Sequence, residues 1–198
     1  ALDSTGYLKL QLRQNPAALC KQHPQLQIDL SAVAKGYAVD QLAELLKQQR
    51  IKNFVVEVGG ELQISGRRAD GTPWKIAVEK PLEGVREVAR IFPLADVAMA
   101  TSGNYRNFYV ADGQRYAHTI DPHTGQPARH RLASATVLAA DCARADALAT
   151  ALMVMGEVEG QRFVENNRLA VFFLIHEGES FREYRSPVFQ ALLNGEAQ

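Results

Sequence analysis

Cysteine, long apolar runs and a surplus of either charge are scarce or missing in this sequence, and each absence removes a class of function. Only two cysteines occur, Cys20 and Cys142. They have neither the spacing of a metal motif nor the density of a disulfide scaffold; two unrelated thiols are the favoured reading and a single bridge the alternative, which leaves the redox compartment open. No apolar stretch approaches the roughly 20 residues needed to span a bilayer. Lys+Arg and Asp+Glu both total 22, so there is no basic footprint for nucleic acid or an anionic membrane surface. Repeats, low-complexity tracts and interdomain linkers are missing too. What remains is ordinary for a globular chain: 46% hydrophobic and 22% charged residues over 198 positions, enough for one substantial core in one domain.

Read in order, Tyr7 to Leu12 alternates as a half-buried strand and Asn15-Pro16 breaks it. Leu26 to Leu30 reads as a second short strand, and Asp29 to Gly36 turns into a helix. Along that helix Ala38, Val39, Leu42, Leu45 and Leu46 keep a 3.6-residue period to Gln49. Phe54–Val58 is the next strand, so Ile28 to Val58 predicts a strand–helix–strand unit and an α/β core at this point. Glu61–Ser65, Trp74–Val78, Val88–Leu94 and Val97–Thr101 are further strands, with a turn at Asp70-Gly71. Asp112-Gly113 predicts a hairpin between Phe108–Val110 and Gln114–Tyr116. Ser134 opens a short β-branched run, followed by a helix with Asp141 as N-cap and Gly156 as its stop. Val158–Asn166 is a second helix, and Leu169–Ile175 a strand buried on both faces. Phe181–Tyr184 returns from it, and residues 194–198 are expected as a frayed tail. The class predicted is α+β, a mixed sheet with at least three helices, and not a doubly wound fold.

Five stretches carry residue types with chemistry. Asp146 and Thr150 are four apart and share one helix face, a carboxylate and a hydroxyl that suit Mg²⁺ or Ca²⁺. The alternative, which the pair alone favours, is an Asp answering the helix dipole and a Thr bonded to its own backbone. Asp29 to Asp40 opens a helix whose free N–H groups attract phosphate, with Lys35 as a point charge and Gly36 allowing close approach. An ordinary capped helix with a surface lysine fits equally well. Gly59-Gly60 permits positive φ beside a ligand, or is simply a hairpin turn. Thr101 to Arg106 has the small residues and donors of an anion-binding turn, or is a polar loop. His118 is the side chain best suited to move a proton near neutral pH, and its alternative is a structural role beside the tight turn of Asp121-Pro122 and Thr124-Gly125.

In chain order these stretches are Asp29-Leu-Ser-Ala-Val-Ala-Lys-Gly-Tyr-Ala-Val-Asp40, Val58-Gly-Gly-Glu61, Ala100-Thr-Ser-Gly-Asn-Tyr-Arg-Asn107, His118-Thr-Ile-Asp-Pro-His-Thr-Gly125 and Ala145-Asp-Ala-Leu-Ala-Thr150. The series resembles the flavin transferase family, the FAD:protein FMN transferases, also labelled ApbE or thiamine biosynthesis lipoproteins. The likeness runs from about Gln27 to about Ser186, most of the chain. It implies Mg²⁺ bound by the Ala34 main-chain carbonyl, Asp146 and Thr150. It implies FAD as substrate, with Lys35 near the phosphates and Ser102 and Gly103 against the nucleotide. Gly60 and Glu61 are expected to line the same pocket, with Glu61 a partner for the adenosine half. His118 is the implied general base and Asp121 the residue that pins its turn, and both are expected among the residues that bind the flavin nucleotide. The implied reaction moves FMN from FAD to a Ser or Thr hydroxyl of an acceptor and releases AMP. In the family the acceptors are redox-complex subunits outside the cytoplasm, on the periplasmic side of the bacterial inner membrane. Family members are longer, with an export signal and an N-terminal lipid anchor, so residues 1–198 are expected to be the C-terminal portion of a catalytic domain. A Mg²⁺-dependent FAD pyrophosphatase, a flavin-binding module without turnover and a plain globular domain are the competing expectations.

Overall fold

The computed structural model describes residues 5–82, 84–103, 108–111, 114–117, 120–128 and 130–195. Chain order begins with a 3-10 turn at Tyr7–Lys9, then β1 (Leu10–Gln14), β2 (Ala17–Lys21), α1 (Ala34–Gln48), β3 (Phe54–Val58), β4 (Glu61–Ser65), β5 (Trp74–Glu79) and β6 (Val88–Leu94). It continues with β7 (Val97–Gly103), β8 (Phe108–Ala111), β9 (Gln114–Ala117), β10 (Leu132–Ala139), α2 (Cys142–Asn166), β11 (Ala170–Glu177), β12 (Ser180–Arg185) and α3 (Pro187–Asn194). The main sheet has six strands in the order β12-β11-β10-β7-β4-β3. Every neighbouring pair in it is antiparallel, and the class is α+β as expected.

Two layers close over this sheet because its central strands are apolar on both faces. Along β11, Val171, Phe173 and Ile175 join Ala145, Ala149, Leu152 and Met153 of α2 in one core. The alternate residues Ala170, Phe172 and Leu174 face the other way, into a second core with Phe92 of β6 and Phe189 of α3. There the rings of Phe92 and Phe172 meet edge to face at 5.2 Å, and those of Phe92 and Phe189 at 5.1 Å. Each fully buried Phe contributes roughly 1.5–3 kcal/mol through the apolar area withdrawn from water. Helix α1 lies beside α2 and covers β3 and β4.

Three local readings need correction. Leu26 to Leu30 forms no strand: the Leu26 carbonyl accepts from Lys21 Nζ at 2.9 Å instead of a ladder partner. With an antiparallel sheet, the predicted α/β unit at Ile28 to Val58 is therefore absent. The N-terminal strand is not half-buried but exposed, with Leu12 79% accessible, and it pairs with a strand, β2, that no alternation announced. By contrast, Gly156 stops the first helix where expected: its φ of 75° breaks α2, and Val158–Asn166 is the second helical segment beyond that kink. Asn194, however, is no frayed residue. It ends α3, which Ser186 caps by accepting the Phe189 N–H at 3.2 Å, with Pro187 opening the first turn and Gly195 closing the last at φ 73°.

The contact that sets α1 against α2 is made by backbone. A Cβ on Gly36 would stand 2.4 Å from the Cys142 carbonyl oxygen and 2.8 Å from the Ala143 Cα. From α1, Asp40 then accepts the free N–H groups of Cys142 at 2.8 Å and Ala143 at 2.9 Å, while Asp141 accepts that of Arg144 at 2.9 Å. Three orphan donors of the α2 start are satisfied in this way. Gly36→Ala should therefore destabilise the protein by about 2–3 kcal/mol, since neither backbone can yield without losing the Asp40 caps. The measurement is the denaturant midpoint, and an unchanged midpoint would mean the helices separate freely.

The same contact isolates a thiol. Cys142 is fully buried and Cys20 exposed, both unpaired. Burial, helped by the Asp40, Glu61 and Asp146 charges, pushes the Cys142 thiol up to about 12. A thiol reagent in excess should modify one cysteine in the native protein, and the second only on unfolding. Two rapid equivalents in the native state would contradict this packing.

Candidate functional site

Helix α1 begins with no side-chain cap and no acidic residue in its first turn. Its free N–H groups must find acceptors elsewhere, and one acceptor comes from α2. The Gly36 N–H donates to Asp146 Oδ2 at 3.0 Å in a buried bond. This bond brings the Ala34-Lys35-Gly36 step to the Asp146 carboxylate across 110 residues of sequence. Asp146 is 1% exposed. Burial pushes its carboxyl above the usual carboxylate range, against the opposing effects of the Gly36 amide and the Lys35 charge.

One turn further along α2, Thr150 Oγ1 lies 3.3 Å from Ser102 Oγ at the end of β7. The preceding residue, Thr101, is held to Thr136 of β10 by a hydroxyl pair at 2.8 Å. Gly103 closes β7 directly after Ser102. The end of β7, an interior strand, and the α2 face thus meet through side-chain hydroxyls, with Asp146 and Thr150 on that face.

The third contribution comes from the β3–β4 turn. Gly59 and Gly60 both have positive φ, 61° and 101°, so the pair is the hairpin turn. It is also a close approach: a Cβ on Gly59 would stand 3.2 Å from Lys35 Cδ. The Lys35 ammonium reaches Glu61 Oε1 at 2.5 Å. Glu61 is 1% exposed, and its Oε2 is buried with no hydrogen-bond partner among the described residues. Burial raises its carboxyl above the usual range, Lys35 opposes that, and the Asp146 charge adds to it.

Ala34, Lys35, Gly60, Glu61, Ser102, Gly103, Asp146 and Thr150 therefore converge at the α1–α2 junction. His118 lies outside the described residues. Asp121 is described, and among the described residues its hydrogen bonds stay within its own turn: Oδ1 accepts from the His123 N–H at 2.8 Å and Oδ2 from Thr124 Oγ1 at 3.0 Å. These donors, the His123 amide first, hold its carboxyl below the usual range. Asp40, which aims α2, was given no role from the sequence. Its signal was only its place inside the Asp29–Asp40 stretch.

Among the described residues no three of His, Cys, Asp and Glu gather into a metal cluster. A zinc centre needs such a set, but Mg²⁺ does not. It keeps waters and takes one or two carboxylates together with substrate phosphates. One buried carboxylate, a hydroxyl one turn away and an orphaned carboxylate oxygen nearby form a hard-oxygen donor set of that kind.

Without a cation these carboxylates oppose folding as pH rises. An acid whose folded pKa exceeds its unfolded value takes up protons on folding. Its favourable contribution is therefore largest at low pH and is lost as pH climbs from the ordinary carboxylate range through the raised folded pKa. Asp146→Asn keeps an acceptor for Gly36 and removes that dependence. In chelator its melting temperature should equal or exceed that of the unmodified protein at neutral pH and vary less with pH. A clear fall at neutral pH would show that the fold needs the carboxylate itself.

The ApbE family profile matches residues 1–173. The FAD:protein FMN transferase of Vibrio cholerae is 45% identical over 190 residues, covering 96% of this chain and 56% of that protein. That of Haemophilus influenzae is 43% identical over 186 residues, covering 93% and 54%. The structure of the flavin transferase ApbE from Vibrio cholerae superposes with a TM-score of 0.83 at 43% identity, over 96% of this chain and 59% of that one. The apo flavinyl transferase ApbE of Pseudomonas stutzeri superposes at 0.84 and 39% identity, over 100% and 60%. The chain thus spans somewhat over half the length of the curated relatives it matches. With four of the five motifs brought to one junction and likeness at this level, the chain belongs to the ApbE family.

Proposed function

We propose that this chain carries the metal- and nucleotide-handling part of a Mg²⁺-dependent FAD:protein FMN transferase. The observation that carries this reading is the Gly36–Asp146 bond, which sets a buried carboxylate, the Thr150 hydroxyl and a helix N-terminus around one point. The Asp146 carboxylate, the Thr150 hydroxyl and the Ala34 carbonyl are the ligand set. Bound there, Mg²⁺ supplies the charge that offsets the FAD pyrophosphate and stabilises AMP as leaving group.

The chain's own groups do the rest. Lys35 offers its ammonium to a phosphate oxygen, and the Ser102-Gly103 end of β7 offers donors to the nucleotide beside Thr150. Gly60 leaves room for a ligand against the β3–β4 turn. A Ser or Thr hydroxyl of the acceptor attacks the phosphorus on the FMN side, the bond to the AMP oxygen breaks, and His118 takes the hydroxyl proton. The role of His118 is carried over from the family motif alone. So are the acceptor, a redox-complex subunit, and its place on the periplasmic side of the bacterial inner membrane. Any attachment to that membrane would come through an N-terminal lipid anchor of the kind the family carries.

The test is the intact mass of a candidate acceptor after incubation with this protein, FAD and Mg²⁺, together with AMP release. An FMN adduct with one AMP per adduct is the expected outcome, lost in Asp146→Asn and not obtained when FMN plus ATP replaces FAD. AMP without an adduct would make the protein a FAD pyrophosphatase. FAD binding without AMP would leave a flavin-binding module.

A further inference from the structure

The mechanism above uses Lys35 but leaves Glu61 unexplained, and Glu61 is costly to keep. It is a carboxylate 1% exposed at the first residue of β4, with one oxygen on Lys35 and the other without a partner among the described residues. Burying a charge is tolerated only where it is paired, and among the described residues its partner is a lysine whose side chain is 46% exposed. Lys35 is itself misplaced by helix rules. It is the second residue of α1, where the helix's positive end repels a cation. Its stem lies across Gly59, where the absent Cβ leaves just enough room. An ammonium has three donors, and Glu61 occupies one of them.

We propose that Glu61 is a positioning residue: it holds the Lys35 ammonium at the mouth of the α1–α2 junction, with its remaining donors turned toward a phosphate-bearing ligand. Glu61 thus acts through Lys35 rather than on the ligand, because its own carboxylate lies beneath the surface. The inference rests on the proposed nucleotide site and refines it. It also revises the expected contact between Glu61 and the adenosine half.

Charge and position predict opposite signs, and this makes the idea testable. If only net charge mattered, Glu61→Gln would remove a negative group from an anion site and tighten anion binding. If Glu61 sets the lysine, the same change frees the ammonium and weakens binding. The probes are ADP and adenosine, titrated with Mg²⁺ as competitors of FAD fluorescence against the unmodified protein and Glu61→Gln. Expected is roughly tenfold weaker ADP binding in Glu61→Gln, the size of one lost charged hydrogen bond. Adenosine affinity should be unchanged, and the ligand-free melting temperature equal or higher. Tighter or equal ADP binding overturns the proposal, and so does a matching loss for adenosine, which would mean contact with the nucleoside or collapse of the pocket. If ADP does not compete even with the unmodified protein, the nucleotide site itself fails and the proposal falls with it. Should adenosine prove too weak to compete in either protein, the direction of the ADP change decides.

Discussion

Two helices in this fold cap each other. Asp40 of α1 accepts two N–H groups at the start of α2, and Asp146 of α2 accepts one at the start of α1. Each carboxylate answers donors that its partner helix cannot satisfy internally, and each also meets the positive end of that helix's dipole. A single side-chain cap contributes typically about 1 kcal/mol. The geometric consequence matters more than the sum. With both ends tied, α1 and α2 can neither slide nor rotate against each other without breaking a buried charged bond.

That constraint accounts for the small residues at the junction. Gly36 lies against the Cys142 carbonyl because the caps draw the backbones together, and Ala145 and Ala149 continue a face that sits close on β7 and β10. Close packing in turn removes water from Asp146 and Cys142, and both acids are pushed up for that reason. One feature thus has two effects: the cap orients the carboxylate, and the packing needed for the cap desolvates it. A desolvated carboxylate beside a hydroxyl gains more from a divalent cation than an exposed one would.

The legible parts of this fold were those whose physics is local. The apolar run at Leu169–Ile175 declared a strand with two covered faces, and the Asp146–Thr150 spacing declared a shared helix face. Gly59-Gly60 leaves a hairpin turn and a close approach both open, and the structure has the turn with the Lys35 stem seated on it. What could not be read depended on partners distant in sequence. Nothing in Leu26 to Leu30 shows that Lys21 takes its carbonyl, so an alternating run looked like a strand. Nor does alternation in β1 reveal that neither face is covered among the described residues. Asp40 looks like any polar helix residue until α2 arrives, 102 residues later. The α3 caps are local and legible, Ser186-Pro187 before and Gly195 after, yet the sequence reading places no helix there and starts the tail at Asn194, the last residue of α3.

The charge count at the junction adds an order of events to the proposed function. With both acids ionised, Glu61 and Asp146 against Lys35 leave one net negative charge in a region largely shut off from water. A pyrophosphate approaching that arrangement alone meets repulsion from Asp146, and Lys35 is already engaged by Glu61. A divalent cation on Asp146 and Thr150 reverses the sign to one net positive charge, and the same pocket then attracts the anion. Lys35 keeps donors for a phosphate, but its single charge is offset by Glu61, so it does not reverse the sign without the cation. Under the proposed function, the pairing that stabilises a buried glutamate would thereby make nucleotide binding conditional on metal, an electrostatic coupling that needs no movement of the fold.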